Sequence, residues 1–470
     1  MTTPTSTPDY YVIQSPQTTA TDTYASLSRL SPNQQILPLT AKTNAADHLE
    51  IGGCDVVDLV AQYGSALYIL DEVGLRTACQ QYRDAFKKHY PAPSQVIYAS
   101  KAWSCLAVCA IVASEGLGLD VVSTGELYTA LKAGVDPSLV YFHGNNKSVA
   151  ELTEAVMAQV TVVVDNWLEL KNLAALAQSH QTKTKILLRI TPGIECHTHE
   201  YIRTGHLDSK FGFDPNEVEA VLAAVASSAY LDCVGIHAHI GSQIFELQPH
   251  QDIGGVMVQW FQIAAAQFGL EFKVLNIGGG LGIRYIESDD PPSIEAWAQT
   301  VCAGVISAFN QAGLPLPQLI CEPGRSLVGS SCVTAYTIGS RKVVPGIRTY
   351  ITVDGGMSDN PRPITYQSQY RAVVASAMGA PLDETVTIAG KHCESGDVLI
   401  KDIQLPVTAA GDILVIPCTG AYNYSMASNY NRMPKPAAVL VSNGEANLII
   451  RRETSDDLLR QDCLPERLIF

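Results

Sequence analysis

In this chain of 470 residues, side chains that could do chemistry stand at the ends of apolar runs. Lys101 closes the run 96–101, and a lysine held out of water at a strand end can have its pKa lowered until the amine becomes a nucleophile. Such an amine forms Schiff bases with carbonyl compounds. The competing interpretation is an ordinary surface lysine. The other polar residues at predicted strand ends are Asp120, Ser123, His143, Arg189, His237, His239, Asn276, Glu322 and Arg325.

A glycine cluster follows the seventh apolar run and indicates an anion site. Gly278, Gly279 and Gly280 would let backbone N–H groups approach a phosphate closely, since no Cβ intervenes. A phosphate, a lysine that can form an imine and the carboxylate of Glu322 together indicate pyridoxal 5′-phosphate, whose ring nitrogen the acid would keep protonated. The alternative for Glu322 is a structural ion pair with Arg325.

The elements that position these residues follow from periodicity. Apolar, β-branched runs alternate with segments of helical period, which over about 250 residues predicts a closed (β/α)8 TIM-type barrel at 75–330. The runner-up is an open, doubly wound sheet. The predicted strands are 95–101, 117–123, 139–143, 160–165, 185–191, 231–240, 272–278 and 317–321. The predicted helical segments are 104–115, 148–158, 167–179, 215–227, 251–268 and 294–312.

The segments outside the barrel have a different texture. After residue 330, short apolar runs alternate with Gly-Asp turns, which predicts a C-terminal all-β domain at 331–470 that completes the active site. Residues 46–74 would add one or more strands to that domain. Residues 1–45 are rich in Thr, Ser, Pro and Gln, which is typical of a disordered or loosely ordered arm.

Composition excludes several function classes. A net charge of −15 argues against binding to nucleic acid or to anionic membranes. No run reaches the roughly 20 apolar residues of a membrane span, and the start lacks the layout of a secretory signal. The 12 cysteines form no Cys-x-x-Cys pair, which favours reduced core thiols and a cytoplasmic location. The segment before Lys42 contains one Arg and no Lys, which is a poor match to an organellar transit peptide and disfavours the plastid stroma. No metal site is expected, because His197, His199, His237 and His239 lack matching ligand spacing.

From about residue 48 to the end, the chain resembles the fold-type III pyridoxal-phosphate-dependent decarboxylases, which have the alanine-racemase fold. The resemblance depends on ordered motifs rather than on any one residue. They are Tyr98-Ala99-Ser100-Lys101-Ala102, Asp120-Val121-Val122-Ser123, Gly125-Glu126-Leu127, Ser209-Lys210-Phe211-Gly212, His239-Ile240-Gly241-Ser242-Gln243, Gly278-Gly279-Gly280, Glu322-Pro323-Gly324-Arg325, Val353-Asp354-Gly355-Gly356-Met357, Asn360-Pro361-Arg362-Pro363, Cys393-Glu394-Ser395-Gly396-Asp397 and Gly420-Ala421-Tyr422.

This resemblance implies a role for each matching position. Lys101 would anchor the cofactor covalently, His239 would stack on its ring, and Glu322 would pair with its nitrogen. The further cofactor contacts would be Asp120, Ser242, Gly278, Gly279, Gly280, Gly324, Arg325 and Tyr422. The substrate would be held by Arg325, Arg362, Tyr366, Glu394 and Tyr422, with Tyr370 an alternative to Tyr366 and with Tyr424 and Tyr430 near enough to share the work of Tyr422.

Catalysis and assembly follow from the same resemblance. Cys393 would donate the proton that replaces the lost carboxylate, and its acidic neighbour and the Gly-Asp turn distinguish it from a buried structural thiol. In such enzymes the Cys-Glu loop enters the active site of the other subunit, which implies a homodimer with shared sites.

The substrate follows from the pocket charges. A paired arginine and carboxylate suit the intact amino-acid end of meso-2,6-diaminopimelate. The expected reaction is therefore its decarboxylation to L-lysine and CO2, the last step of lysine biosynthesis. The alternatives are a decarboxylase of ornithine or arginine, whose relatives typically carry Cys-Asp, and an amino-acid racemase of the same fold. A non-catalytic regulator is disfavoured, because Lys101, Glu322 and Cys393 are all intact.

Overall fold

The computed structural model describes residues 30–194 and 208–469. Much of the segment 30–45, assigned by composition to the arm, is packed against the rest of the chain. Asn33 is fully buried, and its side-chain amide donates to the carbonyl oxygens of Gly282 at 3.1 Å and Pro292 at 2.9 Å. The ordered chain therefore begins well before residue 45. Residues 1–29 of the expected arm lie outside the described residues.

The segment before the barrel supplies four short strands. A small antiparallel sheet is formed by β1 (Lys42–Thr43), β2 (Leu49–Ile51) and β3 (Cys54–Asp55). The helix Val56–Tyr63 follows, and then β4 (Leu67–Asp71), every residue of which is buried. The run is buried because both faces of the strand are covered: Tyr68 and Leu70 pack in the main core, and Leu67 and Ile69 pack in a second apolar cluster. β4 is also paired on both sides in the C-terminal sheet.

Eight parallel strands close into the predicted barrel, in the spatial order β10-β11-β12-β5-β6-β7-β8-β9. They are β5 (Ser94–Ala99), β6 (Gly118–Val121), β7 (Val140–Phe142), β8 (Thr161–Val164), β9 (Thr184–Arg189), β10 (Leu231–His237), β11 (Val274–Asn276) and β12 (Gln318–Cys321). Their inward side chains fill the interior as a separate apolar cluster: Ile97, Tyr141, Val163, Leu187, Val274 and Ile320. The barrel prediction is confirmed, and each predicted run overlaps one strand, with β5 and β9 each beginning one residue before the run.

The helices cover the outside of this barrel. Each predicted helical segment contains a helix, and alternate strand residues such as Tyr98 and Leu119 pack beneath them in the main core. No helix among residues 30–194 and 208–469 has both the length and the apolar character to cross a membrane. Among the described residues, the α-helices of the barrel and the other segments are Val56–Tyr63, Glu72–His89, Leu106–Ser114, Thr124–Lys132, Val149–Ala158, Trp167–Ser179, Val218–Ala226, Gln248–Phe268, Ile294–Gln311, Arg325–Val328, Arg362–Tyr366 and Ser455–Leu459.

The C-terminal part is a domain built on a mixed β-sheet. Its strands are β13 (Cys332–Val344), β14 (Arg348–Val353), β15 (Val373–Val374), β16 (Glu384–Ala389), β17 (Val398–Leu405), β18 (Ile413–Pro417), β19 (Ala437–Ser442) and β20 (Glu445–Ile450). The long strand β13 pairs with β14, β18 and β4. Because β4 comes from the segment before the barrel, the chain enters the β domain, leaves it to form the barrel and then returns. This route ties the two parts together beside the site.

Candidate active site

Lys101 lies just beyond strand β5, in the turn Ser100–Ala102. Hydrogen bonds of the neighbouring Ser100 fix this turn, since its hydroxyl donates to the carbonyl oxygen of Asp120 at 2.7 Å and to Glu126 Oε2 at 2.9 Å. Glu126 in turn accepts from the backbone N–H of Val122 at 2.8 Å. The turn is therefore bound to strand β6, and the lysine amine lies 4.0 Å from Asp120 Oδ2.

The electrostatic environment of Lys101 differs from the expectation of a lowered pKa. Burial lowers the pKa of the ammonium group, but the nearby Asp120, Tyr422 and Glu322 more than offset this and raise the pKa above its usual value. For the Asp120 carboxyl, burial acts in the opposite direction and raises the pKa, although the charges of His143 and Lys101 lower it. The nearby carboxylates therefore hold the amine as a cation. To act as a nucleophile the amine must lose its proton, which requires a bound group that offsets the negative charge of these carboxylates.

A cavity opens around the lysine at the carboxyl ends of the barrel strands. The side chain of Lys101 is 45% exposed to it, whereas that of Asp120 is 2% exposed. The residues that line the cavity are Ala99, Lys101, Asp120, His239, Gly241, Ser242, Gly280, Leu281, Glu322, Gly324, Arg325 and Tyr422. These are most of the cofactor contacts that the sequence predicted. Closure of the barrel brings most of them together from the ends of five strands, and Tyr422 comes from the β domain.

The three predicted glycines have different positions in the loop after β11. Gly280 lines the cavity, and its φ of +129° is a conformation that favours glycine. Gly278 and Gly279 lie behind it and direct their N–H groups to Asn276 Oδ1 and His239 Nδ1. A Cβ on Gly279 would come within 2.2 Å of the backbone oxygen of Glu322. Two of the glycines therefore permit close packing, and one faces the cavity.

His239 and Glu322 occupy two sides of the cavity. His239 Nδ1 accepts from Gly279 at 3.2 Å, and burial together with the charges of Lys101 and Arg189 holds its pKa well below the usual value. A neutral imidazole can stack on an aromatic ring without adding charge. Glu322 follows β12 and accepts a hydrogen bond from Asn276 Nδ2 at 2.6 Å. Burial opposes ionisation of Glu322, but His143 and His237 outweigh it and hold its pKa well below the usual range.

Two buried arginines extend the site toward the β domain. Arg325 donates to the hydroxyl of Tyr285 at 2.7 Å and to Ser242 Oγ at 3.0 Å. Arg362 donates from Nε to the Tyr370 hydroxyl at 3.0 Å and from Nη2 to Ser368 Oγ at 3.1 Å. Among the described residues, both guanidinium groups are bound by neutral hydroxyls instead of carboxylates, which leaves their positive charge available to an anionic ligand.

A second cavity of about 300 Å³ lies beside these arginines. It is lined by Gln243, Tyr285, Ile286, Asp289, Arg362, Tyr366, Gln367, Ser368 and Gln369. Tyr366 therefore faces a cavity, whereas Tyr370 is buried and supports Arg362 from behind. Arg325 connects the two cavities, because it lines the first and bonds to Tyr285 of the second.

Tyr422 sits between the two arginines in a left-handed backbone conformation, with φ of +67°. Its N–H donates to the carbonyl oxygen of Ala102 at 2.8 Å, which joins the β domain to the lysine turn. The guanidinium carbons of Arg325 and Arg362 lie 5.0 and 5.9 Å from its ring centroid. A conformation that is costly for a tyrosine thus places its ring at the boundary of both cavities.

The Cys393-Glu394 loop lies away from both cavities in the single chain. Both residues are exposed, and neither lines either cavity. The base of the loop is fixed by a buried pair, His392 Nδ1 and Asp397 Oδ2, at 2.7 Å, and by Asn431, which accepts from the Cys393 N–H at 2.8 Å. The structure therefore does not bring these two predicted residues to Lys101 within one chain.

Other residues of the site have roles that the sequence did not reveal. His143, His237 and Asn276 were noted only as strand ends, yet all three contact Glu322. Tyr285 gave no signal except its place shortly after the glycine loop, and Ser368 gave none. His197 and His199, at which the sequence predicts no metal site, lie outside the described residues.

The residues present fit a bound pyridoxal phosphate. An amine, a glycine cradle with an adjoining Ser-Arg pair and a buried ionised carboxylate meet at one cavity. The family model described as "Pyridoxal-dependent decarboxylase, pyridoxal binding domain" matches residues 75–329. The chain therefore belongs to the family of pyridoxal-dependent decarboxylases.

Individual relatives place the chain within that family among the diaminopimelate decarboxylases. It is 64% identical over 447 residues to a diaminopimelate decarboxylase of Synechocystis sp., covering 93% of this chain and 95% of the relative. Its identity to the Bacillus subtilis enzyme of that name is 46% over 430 residues, with 90% and 97% covered. A crystal structure of diaminopimelate decarboxylase from M. jannaschii in co-complex with L-lysine superposes with a TM-score of 0.86 at 31% identity, covering 94% of this chain and 100% of that one.

The crowded glycine loop generates a prediction. In Gly279→Ala the new Cβ would press on the Glu322 backbone, and overpacking of this kind costs about 1–3 kcal/mol. We expect affinity for pyridoxal phosphate to fall about ten- to hundredfold, measured by titrating apoenzyme while recording absorbance. The matched control is Gly255→Ala, because a Cβ at Gly255 meets nothing within 4 Å. Unchanged affinity in Gly279→Ala would show that the loop does not shape the cofactor site.

Proposed function

We propose that this chain catalyses the pyridoxal-phosphate-dependent decarboxylation of meso-2,6-diaminopimelate to L-lysine and CO2. The observation that carries the proposal is the pair of buried, carboxylate-free arginines beside the Lys101 cavity. One amino-acid end of diaminopimelate would react in the Lys101 cavity. The carboxylate of the other end, which stays intact, would need a positive charge some distance from Lys101. The names of the relatives point to the same substrate.

The proposed cofactor contacts follow the cavity lining. Lys101 would hold the cofactor covalently, Ser242, Gly280 and Tyr422 would surround its phosphate, and Glu322 would face its ring nitrogen. Asp120, Gly278, Gly279, Gly324 and Arg325 would complete this set. When bound, the group supplies a protonated ring that accepts the electron pair released as the carboxylate leaves.

The chain's own residues then have separable tasks. His239, neutral because of its lowered pKa, offers a flat uncharged face, and Glu322 offers a fixed negative charge. Arg325 and Arg362 orient the substrate by binding the carboxylate that is retained, and Tyr366 and Tyr422 flank it. Cys393 would deliver the proton to the carbon that lost CO2, and Glu394 would bind the distal ammonium group.

The positions of Cys393 and Glu394 support a homodimer with shared sites. Both are exposed and lie outside the cavities of their own chain, so a second copy must supply them if they act at Lys101. The pinned base of the loop, through His392 and Asp397, is suited to presenting two side chains to a neighbour. The working unit is therefore proposed to be a symmetric dimer.

The proposed location is the cytoplasm. The eleven cysteines among the described residues are all unpaired, and most are buried. This pattern fits a compartment that keeps thiols reduced.

Substrate choice can be tested directly. We expect release of CO2 from meso-diaminopimelate but not from ornithine or arginine. Arg362→Met should raise KM about 100-fold, because a charge-assisted hydrogen bond to the retained carboxylate is lost. Arg348→Met, at an exposed ion pair with Asp402, is the control and should leave kcat/KM unchanged. Turnover of ornithine in place of diaminopimelate would contradict the proposal, and so would interconversion of stereoisomers without CO2, which would indicate a racemase.

The shared site generates a second prediction. Lys101→Ala and Cys393→Ala should each be nearly inactive alone, because each lacks a group needed in every site. Subunit exchange between them should restore about a quarter of the wild-type activity, since random C2 pairing gives heterodimers with one intact site.

Cys463, the other exposed cysteine among the described residues, provides the control. Mixing Cys463→Ala with Lys101→Ala should give only the average of the two separate activities. If exchange between Lys101→Ala and Cys393→Ala is demonstrated by mass and activity does not return, Cys393 does not act across the interface.

A further inference from the structure

The carboxylate of Glu322 is enclosed by nitrogen donors from three other strands. His237 ends β10, Asn276 ends β11 directly beside it, and Glu322 follows β12, so these three side chains enter the barrel at one level. His143 follows β7, which is three strands away around the barrel, and reaches the same carboxylate from the opposite side. Barrel closure thus surrounds a single acid with two imidazoles and an amide.

Each of the two carboxylate oxygens of Glu322 has at least one nitrogen atom within hydrogen-bonding distance. Oε1 of Glu322 lies 2.8 Å from His143 Nε2 and 2.6 Å from Asn276 Nδ2, and Oε2 lies 3.2 Å from His237 Nε2. The side chains of His143, His237 and Glu322 are 5%, 1% and 6% exposed, so water cannot substitute for these donors. The two imidazole rings lie 4.8 Å apart and are inclined at 73°, so one Nε2 lies beside each oxygen, and among the described residues that of His237 is the one that makes a hydrogen bond.

The protonation state of His237 follows from its surroundings. Burial lowers the pKa of His237 to about 4 despite the nearby Glu322, so the ring is neutral at physiological pH. An ionised carboxylate only accepts hydrogen bonds, so the proton of this neutral ring is on Nε2. Its Nδ1 is buried without a hydrogen-bond partner among the described residues, which agrees with that tautomer. His237 thus contributes a donor without contributing a full charge.

His143 makes a second connection, to the lysine. Its Nε2 lies 3.8 Å from Asp120 Oδ1, and Asp120 Oδ2 lies 4.0 Å from the Lys101 amine. One imidazole therefore stands between the acid that would face the ring nitrogen and the acid nearest the covalent anchor. Besides these groups, Arg189 is the charged residue that acts on the cluster, and it opposes protonation of His237.

We propose that His143 and His237 are positioning residues that hold Glu322 ionised and in a fixed plane, His237 by donating Nε2–H to Oε2 and His143 by holding its imidazole Nε2 2.8 Å from Oε1. The inference rests on the proposed function, in which Glu322 faces the ring nitrogen of the cofactor. Its consequence is that the electron-accepting power of the site depends on two imidazoles that touch neither cofactor nor substrate. Loss of the His237 donor leaves Oε2 without its hydrogen bond, and loss of the His143 imidazole leaves Oε1 with Asn276 alone; both changes favour protonation of Glu322.

A metal ion is the competing explanation for this cluster. The ligand atoms of His143, His237 and Glu322 lie within 4.8 Å of one another, as a metal site would require. However, Oε1 already accepts from Asn276 at 2.6 Å and Oε2 from His237 Nε2 at 3.2 Å, so both carboxylate oxygens have hydrogen-bond partners without a metal. The metal content of purified holoenzyme distinguishes the two.

At each histidine, one substitution keeps the nitrogen beside Glu322 and another keeps only the volume of the ring, so the two contributions can be measured separately. His143→Gln and His237→Gln keep an amide nitrogen near the place of Nε2, whereas Phe at either position keeps a ring and loses the donor. Asn places its nitrogen where Nδ1 stood, too far from Glu322, and serves if a Phe variant does not fold. Thermal unfolding checks that each variant is folded before it is compared.

The readouts are the visible absorbance of the holoenzyme from pH 6 to 9, kcat and KM. We expect Phe and Asn variants to retain bound cofactor, to show a displaced pH dependence of the absorbance and to lose about ten- to hundredfold in kcat with little change in KM. Gln variants should stay within about threefold of the wild type. The spectra need no substrate, so they remain informative if wild-type enzyme fails to decarboxylate diaminopimelate, a result that would instead overturn the proposed function.

Three results would overturn the positioning role. The first is a Phe or Asn variant with wild-type spectrum, pH dependence and kcat. The second is a Gln variant that behaves like Phe, because then the volume and not the donor matters. The third is stoichiometric zinc or another divalent metal in the wild-type holoenzyme, with spectral changes on its removal.

Discussion

Parallel strands that close into a barrel must all end on the same rim, and the chemistry of this protein depends on that constraint. Lys101, Asp120, His239 and Glu322 are far apart in the chain but belong to strands that end together around one cavity. The interior below them is filled by an apolar cluster that includes Ile97, Leu187 and Ile320. The rim therefore lies directly on an apolar core. Charged groups placed there interact strongly, because little water is present to screen them.

The charges on that rim stabilise one another in pairs and chains. Asp120 holds Lys101 as a cation, the two imidazoles hold Glu322 as an anion, and the arginines at the second cavity are bound only by hydroxyls. The lysine is thereby suited to anchor a cofactor, and Glu322 is suited to draw electrons toward a cofactor ring. The arginines are suited to bind a carboxylate. The β domain takes part through Tyr422, whose N–H is bonded to the lysine turn. Barrel and β domain thus form a single site instead of two adjoining ones.

The barrel and the location of the site could be predicted from the sequence, because buried parallel strands are continuous apolar runs and their ends can be counted. Lys101 and Glu322 were identified for that reason. The pKa of Lys101 could not be predicted, since its direction depends on Asp120 at 4.0 Å and not on burial alone. Composition also missed the packing of Asn33, a single buried amide in an otherwise polar segment.

Long-range partners account for the rest of what sequence reasoning missed. Arg325 pairs with Tyr285, 40 residues away in the chain, and the whole fold sets their relative position, whereas Arg362 pairs with Tyr370 only 8 residues away. Local patterns contain no trace of such contacts, because an aromatic residue in a loop has the same signature whether it packs in the core or supports an arginine. The same holds for Gly278 and Gly279, which the motif grouped with Gly280 although they pack behind it.

The central claim is that Lys101 is the covalent anchor of the cofactor, and borohydride reduction of purified holoenzyme tests it most directly. Reduction makes an imine linkage permanent, and peptide mass mapping then locates the added pyridoxyl phosphate. The predicted result is one modified lysine per chain, in the peptide that contains Lys101. Modification of a different lysine, such as the buried Lys147, or of none at all in a coloured enzyme, would contradict the assignment of this cavity as the active site.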